Sequence, residues 1–241
     1  MSFEACAGIV ERGDPDRFLA VMAAPVAARR VLFPIYAFNV EVARAPWVTE
    51  EPMIAEMRLQ WWREALEEIA SGGTVRRHEI TMILADVLDT DGARDLDRLV
   101  AARRWDVYKN AFEDEEHFKE YLEATAGELM WQAARALGAV NRKDVIRFGR
   151  AAGLARYLSA VSALEGKGRV PLLDGRESAI ALLANEALKD IVRPISSNPA
   201  FLEAWQAEPI LRQIAKEPWR VAQGTVGISA FRAKWRLLQW S

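Results

Sequence analysis

Two stretches decide how this chain is read: Ile35-Tyr36-Ala37-Phe38-Asn39-Val40-Glu41-Val42-Ala43-Arg44 and Arg58-Leu59-Gln60-Trp61-Trp62-Arg63. Both have helical character, and both mix aromatic with polar side chains. Asn39, Glu41, Arg58 and Gln60 sit among large apolar residues. A polar group carried into a core must find hydrogen-bonding partners there. These residues therefore imply either a hydrogen-bonded network that locks two core helices together or the wall of a cavity. The helices bearing Asn39 and Arg58 are expected to pack together, with Glu41 and Arg58 as a buried pair.

Working outward, the punctuation of the chain falls at helix-length intervals. Asp14-Pro15 is an N-cap with proline at the first helical position. Pro25 opens the helix that carries Tyr36 to Arg44, with a bend expected near Pro34. Pro46 stops simple continuation. Thr49 or Glu50 starts a helix through Met53, Met57, Trp61, Leu66 and Ile69, ended by Gly72-Gly73. His78–Leu88 and Leu96–Tyr108 are helical in period. Glu113–Glu116 places acids where a helix N-terminus favours them, ahead of Phe118, Leu122, Leu129 and Ala133. Asn141 or Lys143-Asp144 opens a long helix that Gly166-Lys167-Gly168 and Pro171 interrupt. Ser178–Val192, Ala200–Lys216 and Val226–Gln239 follow. No segment alternates with period two, and Ala, Leu, Arg and Glu favour helix. The expected fold is all-α, a single-domain helical bundle over residues 1–241 with roughly ten helices and short connections.

Composition narrows the function. The 241 residues are 51% hydrophobic and 27% charged, with a formal net charge of −2 and a pI near 5.9. No basic footprint points to nucleic acid. Cys6 is the single cysteine, so no intrachain disulfide can form. No basic n-region precedes an apolar run. The longest uncharged stretches, Phe18–Ala28 and Val31–Val40, fall short of the roughly 18 residues a membrane span needs. The expected location is cytoplasmic, with peripheral contact at the inner membrane. Aromatic residues beside cations late in the chain, Trp205, Trp219, Trp235 and Trp240 with Arg220, Arg232, Lys234 and Arg236, suit such a contact or a protein partner, or a core of tryptophan with solvated arginine.

Familiar catalytic patterns are missing from the sequence. There is no GxxxxGK[ST] loop, no GxGxxG after a strand, no GxSxG elbow and no paired histidines, His78 and His117 being far apart. Asp86, Asp89, Asp91, Asp95 and Asp97 cluster, and Asp91 to Asp95 is formally DxxxD, a spacing that can hold Mg²⁺ on one helix face. Gly92 interrupts it. Asp89–Asp91 read as a helix end and Asp95 as the cap of the next.

At Tyr36-Ala37-Phe38 and Leu59-Gln60-Trp61-Trp62-Arg63 the chain resembles the squalene/phytoene synthase family. The first block is similar to that family's first aspartate-rich helix. Tyr121 to Leu129 resembles its Ala-Gly helix. Gly153-Leu154-Ala155-Arg156-Tyr157-Leu158, leading to Gly168-Arg169-Val170-Pro171-Leu172, resembles the second aspartate-rich helix and the loop after it. The resemblance spans roughly residues 5–240 and implies the isoprenoid synthase fold.

The family joins two prenyl diphosphates with Mg²⁺ held by two facing acidic motifs. On the register of the first motif this chain offers Ala43, Arg44 and Trp47; on the second, Ala163, Leu164, Glu165 and Gly166. A hard cation needs oxygen ligands, so the resemblance implies no catalytic residue, no metal ligand and no cofactor, Mg²⁺ entering only if the chain is an active prenyl transferase after all. The two early blocks are most similar to the degenerate branch that includes an assembly factor for respiratory complex I. That branch implies a binding or assembly protein with a protein partner in the respiratory complex, or an apolar or prenyl ligand. The candidate cavity or ligand-binding set is Tyr36, Asn39, Glu41, Arg44, Arg58, Gln60, Trp61 and Trp62.

Overall fold

Apolar residues three and four apart along almost every segment build a layered helical bundle, seen in a computed structural model that describes residues 3–138, 141–191 and 198–240. The helices are α1 (Phe3–Gly13), α2 (Pro15–Ala23), α3 (Val26–Arg44), α4 (Pro52–Ala70), α5 (Thr81–Ala85), α6 (Thr90–Ala102), α7 (Glu115–Leu122), α8 (Glu128–Ala136), α9 (Arg142–Gly166), α10 (Glu177–Asp190), α11 (Ala207–Lys216), α12 (Trp219–Gln223) and α13 (Ala230–Trp240). No strand occurs among the described residues. One hydrophobic core draws on residues from α1 to α13.

Caps fall where the sequence puts them. The Asp14 carboxylate accepts from the Arg17 amide at 3.1 Å, with Pro15 at the first helical position. Asp114 and Asn141 cap α7 and α9 in the same way, at 2.8 and 3.3 Å. α3 runs through Pro34 and buries an unbroken string from Leu32 to Val40, which makes it the central helix. After Arg44 the chain tightens into a 3-10 turn, Ala45–Trp47. That turn carries Trp47 back over the bundle.

Several boundaries differ from the sequence reading. Asp89 does not end a helix; it caps α6 by accepting from the Gly92 amide at 2.8 Å. Gly92 therefore lies in the first turn, packed against α8, and Asp95 is inside the helix rather than its cap. The acids of this region face arginines and an amide instead of one another. Asp89 meets Arg135, Asp95 meets Gln132 and Arg98, and Asp97 meets Arg63. His78–Leu88 shortens to α5, and Leu96–Tyr108 divides into the end of α6 and a 3-10 turn, Arg103–Val107. Ala200–Lys216 likewise divides into a 3-10 turn, Pro199–Ala204, and α11. Short α12 is not anticipated by the periodicity. Val192, the expected end of α10, lies outside the described residues.

Between α7 and α8 the backbone widens into a π turn, Glu123–Gly127. α9 crosses that turn at very short range. A Cβ on Gly153 would stand 2.3 Å from the Ala126 Cβ, and one on Gly149 would stand 3.0 Å from the Gly127 Cα. Glycine is needed at this crossing because only its missing side chain permits the approach. The crossing sets Tyr121 and Thr125 opposite Arg156 and Tyr157, and this juxtaposition forms the candidate site.

Candidate functional site

A cavity of about 340 Å³ opens between the end of α3, the 3-10 turns Ala45–Trp47 and Arg103–Val107, Tyr121 of α7, and the C-terminal half of α9. Its wall is mainly apolar and aromatic: Ala43, Trp47, Trp105, Tyr121, Tyr157, Ala160, Ala163, Leu164 and Pro171. Three cations, Arg103, Lys167 and Arg169, and one carboxylate, Asp106, complete it. Positions 43 and 47 thus meet positions 163 and 164 across one cavity, although none of the four is acidic.

The charged groups are held in two ways. Arg169 is buried and donates to the backbone carbonyls of Tyr108, at 2.6 Å, and of Asp106. Its guanidinium lies 4.8 Å from the centroid of the Trp47 ring, and the Lys167 ammonium lies 4.4 Å from the same centroid. Cations within about 6 Å of an indole face are attracted by its quadrupole. Asp106 is buried and accepts from the Tyr121 hydroxyl at 2.9 and 3.0 Å and from Arg103 Nη1 at 3.0 Å. The one carboxylate on the wall is therefore engaged. Burial lifts the Tyr121 phenol well above its ordinary range, with Asp106 adding and Arg103 opposing. Tyr121 stays a neutral donor.

Mg²⁺ does not fit this donor set. A hard cation takes several oxygen ligands, whereas three of the four charged groups here are themselves cationic. Among the described residues no group of three His, Cys, Asp or Glu side chains is close enough to hold a metal ion.

Behind the cavity lies a smaller chamber of about 190 Å³, sharing Arg103, Tyr121 and Tyr157 with it and reaching Arg17, Asn39, Thr125, Gly153 and Arg156. Its floor is ionic. Arg17 of α2 is buried and binds Asp14 at 2.5 Å and the fully buried Glu203 carboxylate. Arg156 donates to the Glu203 carbonyl at 2.6 Å and approaches its carboxylate at 3.5 Å. Burial works against the charge on Arg17, yet Glu203 and Asp14 raise its pKa above the ordinary value. Tyr36 is buried beside this cluster, with Arg17 at 5.4 Å from its ring centroid. Burial first and Glu203 second push its phenol well above the ordinary range. Tyr36 Oη, Asn39 Oδ1, Arg103 Nε and Arg156 Nη1 are buried with no hydrogen-bond partner among the described residues.

The eight residues singled out from the sequence separate clearly. Asn39 lines the inner chamber and Tyr36 joins its floor. Glu41 is half-buried and pairs with Arg44 at 3.5 Å, not with Arg58. Arg44 is largely exposed at the end of α3. Arg58 and Gln60 are exposed, against the expectation of a buried network. The reason is helix phase. Ala55, Leu59, Trp62, Leu66 and Ile69 form the inward stripe of α4, and Arg58 and Gln60 lie one residue to either side of Leu59. The two helices do meet, but through Phe38 against Trp62, edge to face at 5.3 Å. Trp61 packs between Trp62, His78 and Arg76, a structural cluster. Arg17, Arg103, Asp106 and Glu203 were missed. Arg17 stands in the first turn after the Asp14 cap, and Arg103, Asp106 and Glu203 fall inside segments that read as ordinary helix and fold as 3-10 turns. Tyr121, Arg156, Tyr157 and Arg169 did lie inside the blocks that carry the family resemblance.

The profile of the squalene/phytoene synthase family matches residues 10–172, more than half of the chain and all the helices that wall the cavity. The chain belongs to the squalene/phytoene synthase family. A dehydrosqualene synthase crystal structure superposes with a TM-score of 0.71 at 16% identity, over 99% of this chain and 94% of that one, and shows the shared fold. Among curated proteins, a Drosophila melanogaster homologue of NADH dehydrogenase (ubiquinone) complex I, assembly factor 6 is 31% identical over 180 residues, 70% of this chain. The chain spans only 53% of that relative's length. The Mus musculus assembly factor 6 is 22% identical over 255 aligned positions, covering 95% of this chain and 72% of the relative.

Proposed function

We propose that this chain is a non-catalytic binding member of its family and serves the assembly of a complex I-type NADH dehydrogenase. The observation that carries the reading is the cavity mouth. Trp47, flanked by Lys167 and Arg169, stands where a metal-bound diphosphate would need carboxylates. Ionising a prenyl diphosphate requires a cation to neutralise the departing charge. A wall with one engaged carboxylate offers no place for that cation. The relatives named as complex I assembly factors support the same reading and suggest a protein partner.

The cavity keeps a use in this reading. Three cations over an aromatic wall favour an anion-bearing apolar molecule, bound directly by protein groups. Arg103, Lys167 and Arg169 would hold the anion, and Trp105, Tyr121 and Tyr157 the apolar part. The alternative is an active prenyl transferase joining two prenyl diphosphates, for which the family membership and the shared fold speak.

Two measurements separate them. Purified chain incubated with farnesyl or geranylgeranyl diphosphate and Mg²⁺ should release no diphosphate. Deleting the gene should lower complex I activity and leave isoprenoid products unchanged. Turnover in the first assay, or missing squalene or carotenoid with normal complex I in the second, overturns the proposal.

A further inference from the structure

The last helix turns an apolar stripe away from the bundle. At 3.6 residues per turn, Phe231, Trp235 and Leu238 of α13 fall within about 60° of arc. They are 78%, 58% and 71% exposed. Ala233 and Leu237, on the opposite side, are buried and tie the helix to the core. A surface helix ordinarily has one apolar stripe, facing inward; α13 has two. Arg232 and Lys234 flank the outward one.

Charge identifies what covers it. Residues 218–241 hold Arg220, Arg232, Lys234 and Arg236 and no acid at all. Arg212 and Lys216 of α11 add to the same side, where a groove of about 530 Å³ separates α11 from α13. Glu208 is engaged by Arg212 and Arg236, and Glu217 by Arg220. Lys216, Arg232 and Lys234 form no ion pair among the described residues. A two-fold copy of the chain would set these cations against themselves. An anionic surface matches both the charge and the aromatic stripe, since tryptophan and phenylalanine settle at the headgroup boundary while arginine and lysine reach the phosphates. No helix of the described residues is long and apolar enough to cross a membrane, so the contact is one of lying on the surface.

We infer that α13, with the adjoining edge of α11, docks the chain on an anionic lipid bilayer through Phe231, Trp235 and Leu238. The inference does not depend on what the cavity binds. The full chain should float with phosphatidylglycerol-containing vesicles and stay behind with pure phosphatidylcholine vesicles. Raised salt should weaken the binding. Phe231→Ser with Trp235→Ser should weaken it by at least about tenfold, and Lys216→Glu with Lys234→Glu should remove the preference for anionic lipid. Both pairs are exposed, so melting temperature should hold and certify the fold. The proposal is overturned if anionic vesicles leave the chain in solution, if neutral vesicles bind it equally, or if the serine variant binds unchanged. It is also overturned if sedimentation shows a dimer that Trp235→Ser abolishes, for then the stripe covers a second copy. Complex I activity in the deletion strain, restored by the wild-type chain, reads the assembly role separately from the vesicle result.

Discussion

The mouth and the floor of the cavity have different chemistries. The mouth, at Ala43, Trp47, Ala163 and Leu164, is apolar and cationic, and its Lys167 is open to solvent. The floor, at Arg17, Asp14, Glu203 and Arg156, is a closed ionic cluster tying α2 and α9 to the turn Pro199–Ala204. The Lys167 charge can change with little cost, because it is exposed to water. A charge on the floor cannot, because each member is held by its neighbours. On the proposed reading, this difference is how the fold is kept without the groups that diphosphate chemistry needs.

The sharpest way to break this comparison is at Arg17. Arg17→Ala leaves Glu203 buried without its main partner, and removing one member of such a pair typically costs about 3–5 kcal/mol. Chemical denaturation should show a loss of that size. A Glu203→Gln, Arg17→Met double variant should recover part of it, since position 203 then holds no buried charge, while Asp14 and Arg156 each lose one partner. A loss below about 1 kcal/mol for Arg17→Ala would mean that the floor is hydrated like the mouth.

A smaller effect is expected where α9 crosses the π turn. Gly153→Ala puts a methyl group 2.3 Å from the Ala126 Cβ, so one backbone must move. Overpacking of this kind costs about 1–3 kcal/mol. The shift would also part Tyr121 from Tyr157, and tryptophan fluorescence of the cavity should change with it. Unchanged stability would show that the crossing is looser than the floor it supports.

The smallest effect is expected at Arg58. The sequence alone places it in a buried network with Glu41, where its loss would be severe. Its exposed position on α4 implies instead that Arg58→Ala stays within about 0.5 kcal/mol of the wild type, as read by thermal melting. If that variant melts several degrees lower, the outer face of α4 is part of the structural network after all.

What could be read from the sequence follows from local physics. Helix caps at Asp14, Asp114 and Asn141, the glycine breaks and the apolar periodicity depend on neighbours within a turn or two, so the all-α fold and most boundaries were legible. The absence of acids at positions 43, 44 and 47 is likewise a fact of sequence. Helix phase was harder. In α4, Leu59 and Trp62 point inward and Arg58 and Gln60 outward, yet all four stand in one run where two aromatic residues blur the stripe. The site itself was decided by tertiary structure. Arg17 and Glu203 are 186 residues apart, and Arg169 reaches the carbonyls of residues 106 and 108 across the bundle. Such partners have no local signature, because a buried charge is stabilised by whatever the fold brings to it.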